Sequence, residues 1–171
     1  MNRRPQPDEY GKYFAPYIAL VGDVPIMTFL EEQRESVNAW LRTIPDDKGL
    51  TRYAPDKWSV KQVIGHMIDT ERIMAYRTLC AARGETASLP GFDQDAYVRQ
   101  ANFESLSMEQ LRRQFDAVRE ATLGLLASLP EEAWSRVGNA NDNKLTVRAL
   151  AYIIGGHLQH HVNVIRSQYL A

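Results

Sequence analysis

Cysteine is almost missing from this chain. Cys80 stands alone, which excludes an intrachain disulfide and suits a reducing compartment. Flanked by Leu79 and Ala81 in a helical pattern, it reads as a small core residue rather than a nucleophile. An excess of charge is missing too. With 20 Lys and Arg against 21 Asp and Glu, the formal net charge is −1, and the two signs are interspersed. A nucleic-acid backbone demands a clustered basic surface, so no nucleic-acid partner is expected. No apolar run approaches the ~20 residues that span a bilayer. The N-terminal stretch through Tyr10 is charged and carries two prolines, with no apolar segment behind it, unlike a secretory signal. The expectation is a cytoplasmic protein with no membrane partner. Also absent are a glycine-rich phosphate loop, a nucleophile elbow, paired catalytic carboxylates, internal repeats and low-complexity tracts.

Histidine is scarce, and its placement is informative. Three of the four histidines lie in Gly155-Gly156-His157-Leu158-Gln159-His160-His161. The surrounding pattern, from about Thr146 to Tyr169, has no proline and carries Leu, Ile, Val and Ala at helical spacing. It predicts a helix. Residues four apart on a helix lie one turn above each other, about 40° apart round the axis, so His157 and His161 share a face. His160 points about 100° away from His161 and is expected to be a neighbour only. His66 lies far upstream on another amphipathic stretch. Two imidazoles from one helix and one from a facing helix make a three-nitrogen metal site with a position left open. The competing reading of a helical His-x3-His pair is a set of satisfied core histidines. Two successive glycines inside a helix are costly, by ~0.5–1 kcal/mol each relative to Ala. They point either to close helix approach or to room for a ligand.

The 171 residues, 44% of them hydrophobic, suffice for one domain with a proper core. Phe14 to Leu20 forms a helical turn ending at Gly22-Asp23. The first long helix runs from Pro25, a favoured first-turn residue, to about Thr43. Ser59 with Gln62 three residues on is a capping-box signature, with Trp58 as a hydrophobic staple. The second long helix starts there and continues to about Arg83, where Gly84 stops it. Leu89-Pro90-Gly91-Phe92-Asp93 breaks the pattern, and a short helix to about Asn102 follows. Ser107 and Gln110 form a second capping box, opening a third long helix to about Ser128. Pro130 to Trp134 is a single turn, and Gly138 to Asn143 reads as a polar loop before the last helix. The prediction is an all-α four-helix bundle spanning residues 1–171 as a single domain. It has an extended N-terminal arm to about residue 13 and a long crossover between the second and third long helices.

Three stretches in this order carry a family resemblance: Lys57-Trp58-Ser59-Val60-Lys61-Gln62-Val63-Ile64-Gly65-His66 followed by Asp69 and Glu71; Leu89-Pro90-Gly91-Phe92-Asp93-Gln94-Asp95; and Leu145 to Leu150 leading into His157-Leu158-Gln159-His160-His161. Together they resemble the DinB-like metal-binding four-helix bundles. That family includes YfiT-like metal-dependent hydrolases and proteins that transfer low-molecular-weight thiols. The resemblance covers the chain from about Tyr10. It implies a divalent metal held by His66, His157 and His161, and a homodimer.

An ion held by three neutral imidazoles keeps its charge and an open position, which lowers the pKa of a bound water from 15.7 to about 7. A thiol cofactor bound as thiolate is the other nucleophile such an ion activates. All-imidazole ligation suits zinc or nickel rather than magnesium or calcium. Asp69 is a candidate to orient a ligating histidine or take a proton, against an ordinary surface or helix-pairing role. Arg77 is set either to steer an anionic group on a small-molecule substrate or to form an interhelical salt bridge. The non-catalytic alternative is a bundle whose metal or cavity holds a small ligand or serves the structure.

Overall fold

The structure, a computed structural model, describes residues 3–170. Its helices are α1 (Ala15–Ala19), α2 (Ile26–Leu41), α3 (Val60–Ala82), α4 (Gln94–Ala101), α5 (Met108–Ala127) and α6 (Val147–Val164), the last continued by a π turn, Ile165–Tyr169. Both capping boxes form: Ser59 with Gln62 opens α3, and Ser107 with Gln110 opens α5. Each satisfies backbone N–H groups that the first turn of a helix leaves unpaired. Thr146 caps α6 by accepting from the Ala149 N–H. Gly84, at φ +82°, follows α3 in the left-handed conformation that a residue without Cβ adopts freely.

Helix α2 packs on α5 and α6, and α3 packs on the same two. Helices α2 and α3 therefore face each other across the bundle. The long excursion, residues 83–107, joins α3 to its neighbour α5 and carries α4. Among the described residues no helix is long and apolar enough to cross a membrane.

One element departs from the all-helical expectation. The stretch read as a polar loop is a hairpin of β2 (Val137–Ala140) and β3 (Asn143–Thr146), and β2 also pairs in parallel with β1 (Ser88–Leu89). Asn141 and Asp142 occupy its two-residue turn at φ 51° and 59°. Positive φ at both central residues is what a type I′ hairpin needs, and Asn and Asp tolerate it best after glycine. The strands are too short and too polar to show a period-2 apolar signal. The parallel β1–β2 pair anchors the α3–α5 excursion beside the entry to α6.

The core is divided. One apolar cluster gathers Leu30, Met74, Leu126 and Ile154 with Trp134; the other gathers Val37, Ile68, Phe115 and Leu158 with Phe103. Between them, on α2, α3 and α5, lie the buried polar side chains Gln33, Glu71 and Arg119. The N-terminal segment is tied down by its polar groups. Arg4 donates to the carbonyls of Ile18 and Gly22, and Glu9 accepts from Arg148 at 2.8 Å.

Candidate metal centre

His66, on α3, and His157 and His161, one turn apart on α6, converge. The His66 and His161 Nε2 atoms each lie 3.2 Å from Nε2 of His157. One nitrogen from each ring falls within 4.8 Å of the other two. The shared face anticipated for His157 and His161 is present, and α3 brings His66 opposite. His160 is exposed, with its ring 5.0 Å from that of His161, outside the cluster.

The donor set fits a divalent ion. Tetrahedral nitrogens at 2.0–2.1 Å from a zinc-sized ion stand about 3.3–3.4 Å apart, close to the spacing here. Hydrogen bonding among the rings alone does not satisfy three converging Nε2 atoms. A neutral imidazole nitrogen has either one N–H or one lone pair, so His157 Nε2 serves one neighbour and leaves the other unmatched. A cation accepts all three lone pairs at once. The protonation states agree with this use. Burial pushes His66 down to about 4, opposed by the nearby Asp95 carboxylate. Burial, then the neighbouring His66 and His160, pushes His161 down to about 3. His157 lies well below the usual histidine range, through burial first and the other three histidines after it. All three are neutral at pH 7, the form that ligates.

With the His66 Nε2 lone pair turned inward, its Nδ1–H faces Thr70 Oγ1 at 3.5 Å, one helical turn along α3. That is the position of a hydroxyl that fixes a ligating tautomer. Asp69, weighed from sequence for this task or for an ordinary surface role, is ion-paired with Arg72 at 2.9 Å on the outer side of α3, as the second reading has it. Arg77 forms no interhelical salt bridge among the described residues: its guanidinium donates to the Pro90 carbonyl at 2.9 Å and lies over the Phe92 ring. The glycine pair serves helix approach. A Cβ on Gly156 would stand 1.9 Å from the Tyr17 carbonyl oxygen, and one on Gly155 would stand 3.0 Å from the Phe29 ring. Helix α1 fills the space at Gly156 and α2 that at Gly155, so the ligand-room reading of these glycines does not hold. The same approach sets the Tyr17 ring 5.4 Å from that of His157.

His161 forms part of the wall of an open cleft of about 380 Å³, with Tyr53, Trp58, Asp95, His160 and Tyr169 around it. The Trp58 ring lies 4.9 Å from that of His66. Asp95 sits in the first turn of α4, which Asp93 caps by accepting from the Asp95 and Ala96 N–H groups. Among the described residues the Asp95 carboxylate has no hydrogen bond or ion pair of its own, and its charge reaches His66. Sequence reasoning passed over Asp95 although it closes the second of the three stretches that carry the resemblance. Tyr17 carried no sequence signal, because only the packing of α1 on α6 brings it to the site.

A helical bundle with three histidines converging from two of its helices defines a class of protein, and the sequence places the chain within it. Residues 30–165 match the DinB superfamily, and the chain belongs to that family. It is similar to a curated protein of Oceanobacillus iheyensis named "Putative metal-dependent hydrolase OB0413", at 24% identity over 82% of this chain and 79% of the relative. It is 25% identical to YuaE of Bacillus subtilis, over 82% of this chain and 95% of that one. Among solved structures, YfiT from Bacillus subtilis, described as a probable metal-dependent hydrolase with an unusual four-helix bundle topology, superposes with a TM-score of 0.76. The match covers 98% of this chain and 91% of YfiT at 17% identity. That likeness establishes the fold.

Proposed function

We propose that this protein is a metal-dependent hydrolase of small molecules, with zinc or nickel held by His66, His157 and His161. The observation that carries the reading is the convergence of three neutral Nε2 atoms at ligand spacing beside an open cleft. The chemistry a bound divalent ion supplies is Lewis acidity, which polarises an electrophile and makes water or a thiol acidic at neutral pH. The chain's own residues do the rest. Thr70 holds the His66 ring in the ligating tautomer. Trp58, Tyr53 and Tyr169 give the cleft apolar walls against which a small substrate sheds water. Asp95, on the same wall and with no hydrogen bond or ion pair among the described residues, accepts a proton from the attacking nucleophile.

The test has two stages. Metal analysis of the purified protein is expected to return about one zinc or nickel per chain; stoichiometric calcium or magnesium would contradict an all-imidazole site. The loaded protein is then screened against esters, amides and alkylating electrophiles, with and without low-molecular-weight thiols. Turnover with water alone supports hydrolysis. Turnover that depends on thiol makes the protein a thiol transferase on the same metal site. A cobalt-substituted protein whose visible spectrum ignores every added ligand would sink both and leave a structural metal.

A further inference from the structure

The most buried charge in the molecule lies outside the proposed mechanism. Arg119, on α5, is wholly inaccessible, and Glu71, on α3, is 3% exposed. Arg119 grips Glu71 with two hydrogen bonds, Nε to Oε1 at 2.7 Å and Nη2 to Oε2 at 2.9 Å. Its Nη1 donates across to α2, to Gln33 Oε1 at 2.9 Å and the Leu30 carbonyl at 3.2 Å. The Gln33 amide hands the chain on to α6, donating to the Gly155 carbonyl at 3.0 Å and to Gln159 Oε1 at 3.2 Å. One polar layer thus ties all four long helices together between the two apolar clusters.

Its position relative to the histidines gives it a use. Glu71 lies five residues beyond His66 on α3. Gly155 precedes His157 by two residues, and Gln159 falls midway between His157 and His161 on α6. Apolar contacts tolerate small slides and rotations of one helix on another, whereas a chain of directional hydrogen bonds through fixed donors admits one register. An imidazole triad needs such a register, since ligand nitrogens must meet within a few tenths of an ångström. Burying an ion pair is not an economical way to gain stability, because desolvation offsets most of the attraction.

We propose that the Glu71–Arg119–Gln33 layer is a positioning device for the metal site: it sets the height and rotation of α6 against α3, and so the spacing of His66 from His157 and His161. The inference rests on the metal reading above. Gln33 is the link to the metal-bearing helix, and Arg119 and Glu71 hold Gln33 in place.

The experiment compares the wild-type chain with Gln33→Leu and with the double variant Glu71→Met/Arg119→Met. Gln33→Leu cuts the layer from α6 yet leaves Arg119 bonded to Glu71 and Leu30, so no charge is orphaned. The double variant removes both charges together, a change that commonly preserves or raises stability. Cobalt(II) and zinc affinities, the cobalt visible spectrum and thermal melting are measured on each. The expected result is a loss of metal affinity of roughly ten-fold or more in both variants, with an altered cobalt spectrum, while melting temperature stays near wild type or rises. Wild-type affinity and spectrum in either folded variant would overturn the proposal, so each decides the matter if the other does not fold. A wild-type chain that binds no transition metal refutes the metal reading and this inference with it; a wild-type chain that binds while the variants bind equally refutes this inference alone.

Discussion

Acid should be tolerated by this site far better than by three histidines in water. An ordinary imidazole has a pKa of about 6.5. At pH 5 it is protonated about 30-fold over its neutral form, so three such ligands weaken metal binding about 3 × 10⁴-fold relative to full deprotonation. In the folded protein burial holds His66 at about 4 and His161 at about 3, with His157 also well below the usual range. At pH 5 roughly nine-tenths of His66 and nearly all of His161 remain neutral. Cobalt titrations at pH 7, 6 and 5, read by visible absorption, are therefore expected to give affinities within about two-fold of one another. Affinity should fall steeply only below about pH 4. The same shifts act on the stability of the metal-free chain with a definite sign. Unfolding lets His66 take a proton near pH 6.5, whereas the folded chain refuses one until about 4. This stability is complete above about pH 6.5 and is lost as pH falls, by about 3 kcal/mol for His66 alone by pH 4. A thousand-fold loss of cobalt affinity between pH 7 and pH 5, with helical circular dichroism intact, would refute the reasoning. It would mean that water reaches the three rings and that they titrate as free imidazoles.

Other perturbations separate the parts of the site. His66→Ala and His157→Ala should each reduce metal content at least ten-fold, and His160→Ala should leave it near wild type; equal losses in all three would dismantle the ligand assignment. Gly156→Ala puts a methyl against the Tyr17 backbone, where no flexible side chain can yield. It should lower stability by about 2–3 kcal/mol in thermal or urea melts, and a neutral result would show that α1 does not press on α6. Asp95→Asn should depress turnover by about a hundred-fold or more with metal affinity unchanged; full activity would remove Asp95 from the proton-transfer role.

The helices were legible because their signals are local. Ser59 with Gln62 and Ser107 with Gln110 mark two starts, Gly84 marks one stop, and apolar residues at i, i+3 and i+4 mark the buried faces. The hairpin was not legible. Its strands pair four residues with four, and their stability comes from β1 and the loop they hold rather than from a pattern of their own. The one available clue was the residue pair Asn141-Asp142, two types that tolerate the positive φ the turn adopts.

For the site, the one-dimensional order of residues determined the His157–His161 pair, since helical periodicity alone stacks residues four apart. The bundle reading and the family resemblance both joined His66 to them, and the packing of α3 on α6 brought the His66 Nε2 to 3.2 Å from that of His157. Tertiary structure alone decided which other residues count. Asp69 and Thr70 are adjacent in sequence, yet one faces Arg72 and the other the His66 ring. Glu71, two residues beyond Asp69, reaches Arg119 in the centre of the bundle. Asp95 reaches the cleft because the α3–α5 excursion carries α4 there. Periodicity fixes which face of a helix is apolar, but the rotation and height at which two faces meet depend on side chains far apart in sequence, and those long-range contacts set the site's geometry.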